Sequence, residues 1–372
     1  MTDLGQGFNP DRISPPGDTM IDLMEERDWT QAELAQRLGF STKHLNQLAK
    51  GKVPLTDDTA IRLERVLGGS TSFWLSREAN HRARLAQLES REKYKDWTSW
   101  LDQLPLAQLK KVGVIPNQRL SNAIKPDLVE TLLRFFGVAS PDQWQNHYGG
   151  MQAAFRRTKA DQADLGAIAA WLRLGEIEAE KLDTPKYSKA GFEKALDCIR
   201  ELTTQPPQQF EPEMRRLCAE AGVKLVIVPA IPKAHVSGVA RWLNRSSPLI
   251  QISLYGKTND KFWFTFFHEA AHILLHAESK TDIFLDDPNN TSGDSEQEHE
   301  ANQWAGDKLI PPAYVFELSQ LAITAHQIPA FANTLNIHPG IIVGRLQHEG
   351  RLGYATQLNQ LKESFQFVEA TE

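Results

Sequence analysis

Between residues 18 and 67 apolar positions recur at helical spacing in four short blocks. The blocks run from Asp18 to Glu26, Thr30 to Leu38, Ser41 to Lys50 and Thr56 to Leu67. Thr30 with Glu33 reads as a capping box, Gly39 stops the second block and Ser41 caps the third. Leu34, Ala35, Leu38, Leu45 and Leu48 supply the seam, and two helices around a tight Gly-containing turn make a helix-turn-helix. Further on, Asp127 to Phe136 and Asp164 to Leu182 keep the helical period between Pro and Gly stops, which predicts a helical bundle. The tryptophans at 97, 100, 144 and 171 serve there as packing. Thr203 to Gln209, with Pro206 and Pro207, reads as a linker or boundary.

The period then changes. Val223 to Val228 is a β-branched run closed by Pro229 and Pro232, and Ser237 to Leu243 and Leu249 to Leu254 are two more strand candidates, which together predict a small sheet. The stretch Phe262 to Leu275 is apolar on nearly every side, which predicts a buried helix. An acidic loop is expected from Asp286 to Asp294, then a helix opened by a Ser295 and Glu298 capping box and closed by Pro311 and Pro312. The remainder, through Phe331, Leu335, Ile341 and Leu346, is expected to be helical. Residues 1–16 read as a flexible lead and the tail after Ser364 as loose.

Composition narrows this picture. The 372 residues allow about two to three domains, and 41% hydrophobic with 24% charged residues is an ordinary globular balance. Only Cys198 and Cys218 are present, so a disulfide framework and a Cys-based zinc site are both excluded, and a reducing, cytoplasmic setting is expected. The N-terminus lacks the build of a signal peptide, and no apolar run reaches membrane-spanning length. A net charge of −6 gives no overall attraction to nucleic acid, so DNA binding must rest on a local surface.

Such a surface exists. From Leu34 to Thr56 the chain has no acid, while Arg37, Lys43, Lys50 and Lys52 fall inside that window. Positive charge is thus concentrated on the turn and the second helix, where phosphates would lie. Thr42, Lys43, His44, Asn46 and Gln47 are placed to meet base edges, with Gln31 and Lys50 as flanking candidates for DNA contact. The bland alternative is a helical packing or dimerisation module. A palindromic operator on double-stranded DNA would call for a homodimer, since one reader covers half a site.

The chemistry concentrates in the buried helix. His268-Glu269-Ala-Ala-His272 sets two imidazoles four residues apart, one turn above the other on one face, with a glutamate beside the first. That arrangement holds a zinc ion while the glutamate handles a proton on the bound water. A catalytic zinc takes three protein ligands and an open position, so one ligand is missing. Glu298 and Glu300 compete for it. Residues two apart on a helix point in different directions, and Glu298 lies on the side that carries Ala301 and Trp304. Asn302, one turn on, can steady a ligand. His235, Arg241 and Tyr255, on the preceding strands, are candidate oxyanion donors, with a structural role as the favoured alternative for each. His276, one turn beyond His272, can approach the cleft, with a place at the surface or behind the ligands as the alternatives.

Two resemblances follow from these residues. Thr30-Gln-x-Glu-Leu-Ala-x-Arg-Leu-Gly39, Lys50-Gly51-Lys52, Asp58-Thr59-Ala60-x-Arg62-Leu63 and Phe73-Trp74-Leu75 resemble the Cro and phage-repressor (XRE) helix-turn-helix, in the branch found in HigA-type antitoxins, over residues 14–90. His268-Glu269-x-x-His272-x-x-x-His276, Glu298-x-x-Ala301-Asn302-x-x-Ala305 and Leu309-Ile310-Pro311 resemble the ImmA/IrrE zinc metallopeptidases over residues 210–312. The second resemblance implies His268, His272 and Glu298 as Zn2+ ligands, Glu269 as general base and a transcriptional repressor as substrate. Those peptidases usually cut a separate repressor, whereas here a repressor-like reader lies on the same chain.

The fold class expected is mostly α with a small β-sheet (α+β). A helix-turn-helix bundle is expected at 1–90, a helical middle region at 91–205, a zincin-like metallopeptidase domain at 206–312 and a helical extension at 313–372. Two functions fit: a DNA-binding regulator carrying a zinc endopeptidase, or a HigA-like antitoxin whose peptidase fold binds metal or a toxin partner without turnover.

Overall fold

The computed structural model describes residues 14–156, 164–276, 284–286 and 296–367. Residues 1–13 of the expected lead, most of the acidic loop at 286–294, the Ser295 cap and the last residues of the tail lie outside them, whereas Pro16, expected in the lead, opens the first helix. By internal contacts the chain divides into two units, residues 1–98 with 120–127, and residues 99–119 with 128–372.

The first unit is built from α1 (Pro16–Glu25), α2 (Gln31–Leu38), α3 (Thr42–Ala49), α4 (Asp57–Leu67) and α5 (Thr71–Asp96). Local chemistry sets their ends. Thr30, Ser41, Thr56 and Ser70 each accept a hydrogen bond from a backbone N–H in the first turn that follows. Gly39 closes α2 in the left-handed region at φ 72°, where a side chain would be strained. Met20, Leu34, Leu38, Leu45, Leu48, Ala60, Leu63 and Trp74 form one closed core. Gly17 lets α1 meet the end of α3, because a Cβ there would collide with the Ala49 backbone. The last helix runs on past residue 90, where the first domain was expected to end, to Asp96.

The second unit opens with helices: α6 (Leu106–Lys111), α7 (Lys125–Phe136, whose first three residues count with the first unit), α8 (Pro141–Arg156), α9 (Leu165–Glu180), α10 (Lys189–Glu201) and α11 (Pro207–Glu220). Thr203 to Gln209 corrects the expectation of a linker. Leu202–Thr204 is a 3-10 turn with Thr203 buried, and Pro207 occupies the first position of α11, where a missing N–H costs nothing. Phe192 of α10 and Phe210 of α11 belong to one core.

The sheet contains β1 (Lys224–Ile227), β2 (Gly238–Asn244), β3 (Ser247–Ile252) and, after α12 (Asn259–Leu275), the short β4 (Phe284–Asp286). Its order is β1-β3-β2-β4; β1 runs parallel to β3, and β2 runs antiparallel to both β3 and β4. Asp286, expected in the loop, is in β4. Strand alternation sorts the faces. Ala240, Ile250 and Ile252 join the core that holds Trp263, Phe266, Phe267 and Ala270 of α12. Arg241 and Gln251 point the other way and bond to Leu172 and Trp171 of α9.

Beyond α12 come α13 (Glu296–Leu309), α14 (Val315–Gln320), α15 (Gln327–Leu335) and α16 (Pro339–His348). Leu335, Ile341, Ile342, Val343 and Leu346 complete the core around α12. A final strap ties down the start of that helix. The Asn259 N–H donates to the Glu363 carbonyl and the Phe365 N–H to the Lys257 carbonyl, while the Lys362 ammonium lies 2.6 Å from the Asp260 carboxylate. A helix buried on all sides needs its polar first turn paired, and the strap supplies the partners.

Candidate metal centre and nucleic-acid interface

Two elements bring the ligand atoms together. On α12, His268 and His272 stand one turn apart and turn their Nε2 atoms toward each other at 3.0 Å. From α13, Glu298 reaches in between, with Oε2 3.2 Å from His268 Nε2 and Oε1 3.4 Å from His272 Nε2. These three donors lie within 4.8 Å of one another. Both histidines are 1% exposed and Glu269 is fully buried. Two imidazole nitrogens and one carboxylate oxygen suit a divalent ion such as zinc, with a further position left for water or substrate. Burial, and then the neighbouring His268 and His276, hold the pKa of His272 well below the ordinary imidazole value. The ring is therefore neutral at neutral pH, with one of its two nitrogens free to bind a metal.

Glu269 lies beneath the sheet. The ideal Cβ position at Gly238 is 2.6 Å from Glu269 Oε1 and 2.7 Å from Thr265 Cγ2, so only glycine allows β2 to pass this close. Gly238 was not among the expected site residues, although a glycine inside a strand candidate is the signal for such an approach.

The competition between Glu298 and Glu300 ends with each in a separate contact. Glu298 meets His268 and His272, whereas Glu300 Oε2 sits 3.1 Å from His276 Nε2. His276 is buried and its Nδ1 lies 3.0 Å from His272 Nδ1, which places it behind the ligands rather than at the surface. Asn302, expected to steady a ligand, is exposed.

Among the oxyanion candidates, Arg241 takes the structural alternative, and the strand placement of His235 and Tyr255 is corrected. Arg241 is on the sheet face away from α12 and is held at 2.6 Å by Glu176 and at 2.9 Å by the Leu172 carbonyl. Strand alternation turned it outward, and a buried ion pair keeps it there. His235 and Tyr255 are outside the strands, bonded to each other at 2.8 Å.

In the first unit, α3 exposes Thr42 and Lys43, leaves Asn46 and Gln47 half-buried on the same side one turn later, and ends at the exposed Lys50. Gln31 is exposed at the start of α2. His44 is half-buried, its ring edge-on to Phe40 at 4.9 Å between centroids, so its imidazole also serves local packing.

A bundle with a capped reader helix and a sheet-backed helix carrying a His-His-Glu cluster define a DNA-binding module joined to a metallopeptidase-like domain. Comparison with protein families agrees: residues 20–74 match the helix-turn-helix model, and residues 218–345 match the model of the IrrE N-terminal-like domain. The second match extends past 312 into α16, whose residues pack on α12. No curated protein matches the chain. Among the described residues, no helix is long and apolar enough to cross a membrane.

Proposed function

We propose that this protein is a DNA-binding transcriptional regulator whose second unit is a zinc-dependent endopeptidase. The observation that carries the reading is the convergence of His268, His272 and Glu298 on one point of a buried helix, with Glu269 beside it. His268, His272 and Glu298 would hold the ion, and when bound it supplies Lewis acidity to a water and to the scissile carbonyl. Glu269 takes the proton from the attacking water and returns it to the leaving amine. Gly238 keeps the space in which that carboxylate stands. The substrate class is a protein, with a repressor favoured by the resemblance to ImmA/IrrE peptidases. The middle helices and the extension at 313–372 serve as scaffold for this unit, and a cytoplasmic site of action follows from a chromosomal target.

The second reading is a HigA-like antitoxin in which the same fold retains metal, or meets a toxin partner, without cleavage. The repressor-like reader on the same chain favours it. One substitution separates the two. Under the first reading, Glu269→Gln keeps zinc, measured on protein purified without a histidine tag, and keeps operator binding, but loses cleavage of a co-expressed repressor. Wild-type protein that holds zinc and cleaves nothing decides for the antitoxin.

Operator binding is tested apart from the metal. Replacing Lys43 and Gln47 by alanine weakens affinity in gel-shift titrations, by about 1–3 kcal/mol if Gln47 reads a base, and lowers the salt dependence by the share of one phosphate contact. Zinc content stays as in wild type. Unchanged affinity would remove α3 as the reader.

A further inference from the structure

The metal reading leaves one pair of side chains without a task. His276 closes the C-terminal end of α12, its N–H bonded to the His272 carbonyl, and its ring is buried between His272 and Glu300. We infer that Glu300 and His276 act as a positioning relay that fixes the tautomer and ring orientation of His272. The inference rests on His272 being a metal ligand.

A carboxylate only accepts, so the 3.1 Å contact between Glu300 Oε2 and His276 Nε2 places a proton on that nitrogen. In neutral His276 the other nitrogen, Nδ1, is then an acceptor. It lies 3.0 Å from His272 Nδ1, which must donate across that contact. A neutral His272 with its proton on Nδ1 has its lone pair on Nε2. That is the atom which faces Glu298 at 3.4 Å and His268 at 3.0 Å. Each hydrogen bond thus sets the next, and the chain ends with the lone pair aimed at the ligand cluster. A zinc-bound histidine commonly donates its second N–H to a carboxylate or carbonyl; here a second histidine stands between ligand and carboxylate.

Glu298 and Glu300 come from the same turns of α13, so a single helix supplies both a ligand and the anchor of a neighbouring ligand. A shift of α13 along α12 would loosen both together. Glu300 is 52% exposed on its side chain, so it can be replaced without emptying a core.

Nitrogen-15 spectra of histidine-labelled protein, recorded after removal of metal, read the tautomers directly. The relay requires His272 protonated on Nδ1 and His276 on Nε2. Glu300→Leu and His276→Phe are expected to weaken zinc affinity about 10- to 100-fold in competition with a fluorescent chelator, and to shift the visible absorption of the cobalt-substituted protein. Glu300→Gln, whose amide oxygen still accepts from His276, restores most of the affinity lost in Glu300→Leu. The exposed neighbour His299→Gln changes nothing. If His276→Phe fails to fold, by circular dichroism, the Glu300 variants carry the test alone. His272 protonated on Nε2, or zinc affinity unchanged in Glu300→Leu, overturns the relay. A wild type that takes up no zinc fails the metal reading instead, and the nitrogen spectrum still decides how the two histidines are paired.

Discussion

Gly238 shows how one missing side chain shapes the site. A methyl group there would stand 2.6 Å from Glu269 Oε1 and 2.9 Å from its Cγ, so either strand or carboxylate must give way. Gly238→Ala is therefore expected to retain zinc and lower turnover, by around 100-fold if the base moves by about 1 Å. Zinc analysis alongside cleavage rates of the same preparation checks this, and unchanged turnover would show that the strand simply yields. At this scale the sequence was most legible where chemistry is local. His268 and His272 were readable because four residues along a helix is one turn, whatever surrounds it. Arg241 stayed open between a structural and an oxyanion role because its partner, Glu176, is 65 residues away on α9, across the sheet. The link from Glu300 to His276 was hidden for the same reason: it depends on how α13 lies against α12.

At the level of elements, caps and stops announced the first unit. Thr30, Ser41 and Thr56 each bond the first turn that follows, so the ends of α2, α3 and α4 fell within a residue of their expected places. The three-residue β4 carries too little pattern to be seen. The strap on α12 was equally invisible, being held by pairs about a hundred residues apart: Asp260 with Lys362 at 102 residues and Asn259 with Glu363 at 104. That strap makes a stability prediction. Lys362 and Asp260 are 11% and 8% exposed, and removing one partner strands the other charge in the core. Lys362→Met should cost about 3–5 kcal/mol in denaturant unfolding, as expected for a broken buried pair. The double variant Lys362→Met with Asp260→Asn should recover part of it, because no unpaired charge remains. Equal losses in the single and double variants would mean that the ion pair is not what the strap contributes.

Across the whole molecule, the two units differ in how far apart their contacts lie along the chain. The helix-turn-helix unit draws its core from residues 20 to 74, a compact stretch that local helices can assemble early. The other unit is closed by its last described turns, where Glu363 and Phe365 bond back to Asn259 and Lys257. During synthesis the first unit is therefore expected to finish while the ribosome is still making the sheet, and the start of α12 to stay unpaired until residue 365 has left the exit tunnel. Nascent chains stalled at successive lengths and probed with protease should show the reader protected first and α12 only at the end; early protection of α12 would deny the strap this part. On the proposed function, a cell making this protein would for a time hold molecules able to occupy an operator before any peptidase centre has been completed on them.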